Sequence, residues 1–292
     1  MLEYLDLGGV RLHETSTRSI VRALGLYGIP GVRGDAPDRS QQHGAIEPAR
    51  QYLPAKLPTI EGEIWGATVE AAWAEFDELA AQLERMLDTP ATLAWQRTGG
   101  TPVQMRVRVA GVTDPAVEET GLPLSYQLTL RAADPRVYAQ TQQSADTSAL
   151  EAGSGGIFGY PYAYPYSYGD LNAGGIVTVT NGGRVATFPT IRLYGLLVAP
   201  SIRNATTGKV LSLPGLTIDT GDYVEVDMLA GTVRLNGSPD ANLLRHLDPN
   251  VSEFWPLEAA PAAAAGENVV RLQASSFDPS ALARLSWRDA WI

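Results

Sequence analysis

Turn signals recur through the C-terminal part of the chain, and they constrain the fold more than any other feature of the sequence. From Ile176 onward, short alternating apolar segments are separated by turns about 8–12 residues apart, the spacing typical of a β-sandwich. The 292 residues include 29 glycines and 20 prolines, more turn-forming residues than a helical protein accommodates. The strands are predicted at Ile176–Thr180, Thr190–Leu197, Val210–Leu213, Tyr223–Asp227, Thr232–Leu235, Asn268–Gln273 and Leu282–Trp287.

The N-terminal part combines strand patterns with a single helix. Residues 18–27 and 57–65 are predicted strands, and in the first of them Ile20, Arg22 and Leu24 are expected on one face. Two further strands, 103–109 and 124–130, alternate strictly between apolar and polar residues. These elements predict a β domain that closes near residue 138.

A helix is predicted over residues 68–87. Thr68 is expected to cap its N-terminus, and Pro90 follows its end. Apolar side chains at three- and four-residue steps give it one apolar face, which suits packing on a sheet. That face consists of Val69, Trp73, Phe76, Ala80, Leu83 and Leu87.

Residues 139–175 differ in composition from the segments on either side. They contain no lysine or arginine and are rich in Gln, Ser, Gly, Tyr and Pro, which predicts a linker or a projecting arm. The chain therefore divides into residues 1–138, 139–175 and 176–292.

Five tyrosines occupy every second position within this arm. In an extended segment they would share one face, which could stack on sugar rings, contact a protein, or belong to a mobile linker. They are Tyr160, Tyr162, Tyr164, Tyr166 and Tyr168.

Charge and composition exclude several classes of function. The 22 Lys and Arg against 32 Asp and Glu give a net charge of −10, which argues against nucleic acid or an anionic membrane as the main partner. The absence of cysteine excludes disulfides, thiolate metal sites and cysteine nucleophiles. With no apolar segment of membrane-spanning length and no signal peptide, the chain is expected to be made in a cytoplasm.

Motifs that suggest catalysis or metal binding have simpler explanations. Asp219-Thr220-Gly221 matches the aspartic protease signature, but such enzymes need two aspartates, and this composition is typical of a turn. The nearby acidic residues Asp222, Glu225 and Asp227 lack the register of a calcium loop. No cofactor, no metal and no enzymatic activity are expected.

A series of short motifs follows a fixed order through the C-terminal half. In chain order they are Phe188–Gly195, Ala199–Asn204, Thr207-Gly208, Thr220–Asp227, Val233–Gly237, Gly266–Asn268 and Trp287–Trp291. This series resembles the distal tail (Dit) family of long-tailed bacteriophages. A looser match extends to the N-terminal part, through the helix that begins at Thr68 and the strand that carries Arg106 and Arg108.

The resemblance implies a mainly β protein with an N-terminal ring-forming β-barrel or split-barrel domain carrying one α-helix, and a C-terminal galectin-like β-sandwich. It also implies a homohexameric ring at the virion tail tip, assembled in the host cytoplasm. The partners would be the tail tube protein and the tail-associated hub, with the tape measure and the genome passing through the lumen. An acidic lumen would repel DNA. A host glycan is a further candidate partner, and no membrane insertion is expected.

Two questions stay open: the role of Arg106 and Arg108, and whether the chain is a tail ring at all. Arg106 and Arg108 would either pair with acidic residues of an adjacent subunit or remain solvated. The whole chain could also be a carbohydrate-binding module that recognises a cell-surface glycan through the tyrosine stretch. A glycan array with Tyr160, Tyr164 and Tyr168 replaced by alanine would separate that function from the structural one.

Overall fold

The computed structural model describes residues 2–13, 16–31, 43, 53–117, 121–152 and 172–292. The chain forms two compact units, Met1–Gln140 with the terminal Ile292, and Thr141–Trp291. Both units consist mainly of antiparallel strands, and among the described residues a single α-helix occurs. The predicted mainly β class with one helix is therefore confirmed.

The described residues of the first unit form nine strands and the helix α1. The elements in chain order are β1 Leu2–Leu7, β2 Val10–Arg11, β3 Arg18–Leu24, β4 Thr59–Ile64, α1 Val69–Asp88, β5 Ala91–Arg97, β6 Val103–Val112, β7 Ala116–Val117, β8 Leu124–Arg131 and β9 Val137–Ala139. Their main path of pairing runs β2-β1-β5-β6-β8-β4-β3, with β7 on β8 and β9 on β6.

Strand β6 is central to this sheet because it pairs with different strands along its length. Its first half, residues 103–107, pairs with β5, and its second half, from Arg108 to Val112, pairs with β8. Alternation along β6 buries Met105, Val107 and Val109 and leaves the residues between them exposed.

The helix α1 forms where the apolar periodicity predicts it. The Thr68 side chain accepts a hydrogen bond from the backbone N–H of Ala71 and so satisfies one of the unpaired donors of the first turn. The helix contacts β6 and β4, and it buries Phe76, Leu79 and Leu83 in the core of the first unit. Trp73, expected on the same apolar face, is partly exposed and packs edge-on against Phe76.

The expected face assignment of β3 is wrong. A bulge between Ile20 and Arg22 shifts the register against β4, so that Ile20 and Ala23 pack on the core while Arg22 and Leu24 point outward. A bulge adds one residue to one strand and reverses the alternation beyond it. The strand also ends at Leu24, before Gly25, whose φ of 73° lies in the left-handed region.

The second unit contains the other strands. They are β10 Gln143–Asp146, β11 Leu150–Ala152, β12 Asn172–Gly174, β13 Ile176–Thr180, β14 Thr190–Tyr194, β15 Leu197–Val198, β16 Ser201–Asn204, β17 Val210–Ser212, β18 Thr217–Ile218, β19 Tyr223–Asp227, β20 Thr232–Leu235, β21 Glu267–Gln273, β22 Ser276–Phe277, β23 Leu282–Trp287 and β24 Ala290–Trp291. Short 3-10 turns lie at Leu244–His246 and Ala264–Gly266.

Two sheets of the second unit enclose a common core. One has the order β10-β23-β14-β19-β20 and the other the order β13-β21-β16-β17. Buried side chains such as Ile191 and Val226 from the first sheet share one apolar cluster with Ile202 and Leu272 from the second. Two apolar sheet faces that bury one core make a sandwich. A smaller sheet, β18-β15-β22, and the strand pair β11-β12 also belong to the unit.

Two sequence expectations differ from the structure in this unit. The predicted strand 190–197 is divided at Gly195, whose φ is 87°. Within 139–175, expected to be a linker or arm, residues 143–146, 150–152 and 172–174 are strands β10, β11 and β12. Strand β10 pairs with β23 along its whole length. The Asp146 carboxylate of β10 forms a bidentate ion pair with Arg284, a residue that lies far away in the sequence.

None of the helices in the described ranges combines the length and the apolar character that a membrane span needs.

Candidate interaction surfaces

Arg106 and Arg108 lie on the exposed face of β6, as the alternation predicts. The structure adds a third arginine that the sequence analysis missed, because Arg131 on β8 lies directly opposite Arg108 and is also exposed. Pairing between distant strands is what brings Arg131 here, and no local pattern around it signals this. Arg106, Arg108 and Arg131 are called the basic patch.

The basic patch lines a groove of about 500 Å³. Besides the arginines, its walls include Pro90, Ala133 and Asp134. The Asp134 carboxylate is already engaged within the chain: it accepts a hydrogen bond of 2.6 Å from the Tyr138 hydroxyl and lies 3.5 Å from Arg136 Nη1. Burial, together with the adjacent negative charge of Asp134, raises the pKa of Tyr138 well above its ordinary value, so this hydroxyl remains a donor.

The three arginines of the basic patch are unpaired within the part of the chain that the structure describes: their guanidinium groups form no hydrogen bond or ion pair there. Arg108 and Arg131 are like charges in directly opposed positions, which disfavours the sheet locally. A planar guanidinium binds a carboxylate through two parallel hydrogen bonds, a bidentate pair. The basic patch can therefore bind an acidic surface.

A second groove on the first unit carries the opposite charge. Its volume is about 380 Å³, and its lining includes Glu61 and Glu63 of β4 together with Asp114. These three residues are called the acidic patch. The sequence shows Glu61 and Glu63 at alternate positions, but only the pairing of β4, β7 and β8 brings Asp114 beside them.

The acidic patch also lacks partners among the described residues, where none of its carboxylates forms an ion pair or accepts a side-chain hydrogen bond. Arg22 lies opposite Glu61 on β3, exposed and at the border of the patch. The patch keeps a net negative charge even when this arginine is counted.

Tyr160, Tyr162, Tyr164, Tyr166 and Tyr168 lie outside the described residues, and their role as a protein or glycan contact stays a prediction.

The acidic residues at and after the Asp219 turn serve local structure. Asp219-Thr220-Gly221 forms the turn before β19, with the N–H of Asp222 donating to the Asp219 carbonyl, as predicted. Glu225 pairs with Arg192 at 2.8 Å, and Asp227 accepts hydrogen bonds from the backbone of the next turn. Among the described residues, no cluster of three or more His, Asp or Glu is placed to hold a metal ion.

Neither protein-family models nor curated proteins match this sequence. Its structure, however, matches the Dit protein (gp 19.1) of phage SPP1 with a TM-score of 0.69 and 13% sequence identity, over 99% of both chains. The chain has the Dit fold. The resemblance suggested by the sequence motifs is therefore confirmed at the level of the fold.

Two solved structures of a phage P2 baseplate in its activated conformation also match the chain. The one with Ca has a TM-score of 0.49 and 14% identity over 98% of each chain, and the one with Sr has 0.47 and 15% over 97%. Since the Dit fold extends over 99% of the chain, it includes both units, and both charged patches lie in the first of them.

Proposed function

We propose that this chain is a structural protein of the tail tip of a long-tailed phage or a phage-like particle. In this proposal it forms a homohexameric ring that joins the tail tube to the tail-tip hub or baseplate, and it has no catalytic role. Residues 1–138 would form the ring, and residues 176–292 would form a galectin-like sandwich.

The observation that carries the proposal is the extent of the structural match. SPP1 Dit, described as a paradigm of the hub adsorption apparatus in phages that infect Gram-positive bacteria, shares the fold over 99% of both chains. A match of that length includes both units, so the likeness does not depend on a sandwich domain alone, a type of fold with many unrelated functions.

The charge distribution of the first unit supports an assembly role. The chain is acidic overall, with a net charge of −10, yet its first unit presents three exposed arginines in one groove and three carboxylates in another, all of them unpaired among the described residues. Exposed charges of both signs, held on strands, give specific contacts between subunits and steer their encounter. In the proposed particle, the partners are the tail tube, the hub and other copies of the chain, and the tape measure and genome pass through the lumen.

Two measurements test the proposal. Gold-labelled antibodies against the chain, applied to particles that carry it, are expected to label the end of the tail in electron micrographs. Light scattering of the purified protein over a concentration series is expected to give a mass six times the 31.2 kDa of one chain. Label on the capsid, or on no part of the particle, would overturn the proposed location. A monomer at every concentration would overturn the self-assembling ring but not the location.

A further inference from the structure

The basic and acidic patches lie at opposite ends of one outward sheet face. On β8, the residues Ser125, Gln127, Thr129 and Arg131 point away from the core and alternate with buried neighbours. Glu63 and Glu61 on β4 lie opposite Ser125 and Gln127, toward the start of β8. Arg108 lies opposite Arg131 at its end. The face is therefore negative at one end and positive at the other.

The two patches are too far apart to neutralise each other within one chain. Gln127 and Arg131 are four residues apart on β8, or roughly 13 Å at the rise of an extended strand. That distance exceeds the Debye length of about 8 Å at physiological ionic strength, so solvent ions screen one patch from the other. Each patch remains available to a charged surface of another molecule.

We propose that a second copy of this chain is that molecule, and that the basic patch of one copy docks on the acidic patch of the next. The inference rests on the proposed ring and names the contact that would build it. In the ring each copy offers its basic patch to one neighbour and its acidic patch to the other, so the contact is head-to-tail, and repetition around a rotation axis closes the ring. Facing patches of three arginines and three carboxylates would satisfy charges that have no partner among the described residues of one chain.

Apolar side chains beside the acidic patch add to the area that such docking would bury. Val21, which lines the acidic groove, is 62% exposed, and Leu24 on the same strand is 43% exposed. Strand β3 is the last in its sheet order, so both side chains lie at the edge of the sheet. An apolar border around paired charges is typical of subunit interfaces.

Charge reversal gives a direct test. The variant Arg106→Glu/Arg108→Glu makes the basic patch acidic, and Glu61→Lys/Glu63→Lys makes the acidic patch basic. Alone, each variant would face like charges, and its apparent dissociation constant for assembly is expected to rise about tenfold or more. Mixed in equal amounts, the two variants present opposite charges at every contact of an alternating ring. The mixture is therefore expected to recover the wild-type mass in light scattering.

A matched control reverses two exposed arginines of the second unit. Arg203→Glu/Arg245→Glu changes the net charge as much as the basic-patch variant does, and it is expected to keep the wild-type mass. Raising the salt concentration is expected to weaken the wild-type assembly, since the docking is electrostatic. A cooperative urea unfolding transition shows that each variant is folded. Recovery of the wild-type mass in the mixture shows independently that both variants are folded.

The outcomes separate this inference from the proposed function. If both reversed variants assemble like the wild type, the charge docking is wrong and the ring stands. If each variant is monomeric but the mixture does not recover, the patches do not meet each other, and the docking is again wrong. A wild-type dimer would indicate two-fold pairing of the same face and would overturn the head-to-tail contact. If the wild type is a monomer in solution and antibodies against it label the tail end, the docking is wrong and the tail location stands.

Discussion

Arg108 on β6 and Arg131 on β8 lie directly opposite each other in an antiparallel pair, and both are exposed. Opposed like charges destabilise a sheet, so this pair weakens the single chain. Both residues line the same groove. A destabilising arrangement at an exposed site fits a role in binding another molecule, because the partner's carboxylates would relieve the repulsion.

Replacing Arg131 is therefore expected to stabilise the monomer. Arg131→Glu creates an opposite-charge pair with Arg108 and is expected to raise the free energy of unfolding by about 0.2–1 kcal/mol. Arg131→Gln removes the repulsion only and is expected to give a smaller gain. The measurement is urea unfolding at a concentration where light scattering gives the same mass for all variants. Arg97→Gln, an exposed arginine opposite Leu2 on β1, is the control and is expected to give no gain. A loss of stability in both Arg131 variants would contradict the repulsion.

The ion pair between Arg18 and Glu75 is expected to hold α1 against β3. Arg18 Nε lies 2.6 Å from Glu75 Oε1, and the side chains are only 8% and 24% exposed. Glu75→Gln removes the negative charge beside the nearly buried guanidinium, which is expected to cost about 2–3 kcal/mol in the free energy of unfolding. Glu84→Gln, an exposed carboxylate on the same helix, is the control and is expected to change little. Equal midpoints in urea for the two variants would show that the pair contributes nothing.

The sequence predicts those elements that depend on local pattern. The helix is predicted because its apolar periodicity, its Thr68 cap and the following Pro90 all act within about 20 residues. Strict alternation likewise locates β6 and places Arg106 and Arg108 on one face. Each of these features is readable from one segment without knowledge of its neighbours.

Features that depend on pairing between strands distant in the sequence cannot be predicted from local pattern. The bulge at β3 comes from its register against β4, so the sequence alone assigns Arg22 and Ile20 to the same face. Strand β10 has a polar sequence, and its place in the sheet depends on pairing with β23. The acidic patch is missed for the same reason, because Asp114 meets Glu61 only through the folding of the sheet.

Acid is expected to weaken the contact between β10 and β23. Asp146 accepts two hydrogen bonds from Arg284, at 2.7 and 2.8 Å, and these bonds lower the pKa of Asp146 below its ordinary value of 3.8. The folded state then binds this proton less tightly than the unfolded state. The stabilisation is present above about pH 4 and is lost as the pH falls through the lowered folded pKa.

The variant Asp146→Asn tests this dependence. It is expected to be less stable than the wild type at neutral pH, with a difference that shrinks as the pH falls below about 4, as followed by urea unfolding at each pH. The effect is expected to be small, because the two side chains are 38% and 47% exposed. Asp240→Asn, at an exposed position after β20, is the control. A difference that stays constant with pH would show that Asp146 is not responsible.

Close packing of Tyr126 over Gly62 fixes the strand that carries the acidic patch. The two residues are opposed in the pairing of β4 and β8, and a Cβ atom on Gly62 would lie 2.5 Å from the Tyr126 ring. Burial raises the pKa of Tyr126 to about 12, consistent with a ring enclosed between the sheet and the core. Glu61 and Glu63 flank this glycine, so its contact with the ring sets where both carboxylates lie.

Gly62→Ala is expected to cost about 1–3 kcal/mol in the free energy of unfolding, because the added methyl group overpacks this contact. In a Tyr126→Leu background the same substitution is expected to cost clearly less, since the smaller side chain leaves room for the methyl group. Urea unfolding of the wild type, the two single variants and the double variant gives the coupling between the two positions. Equal costs in both backgrounds would mean that the destabilisation has nothing to do with the tyrosine ring and comes from the strand backbone.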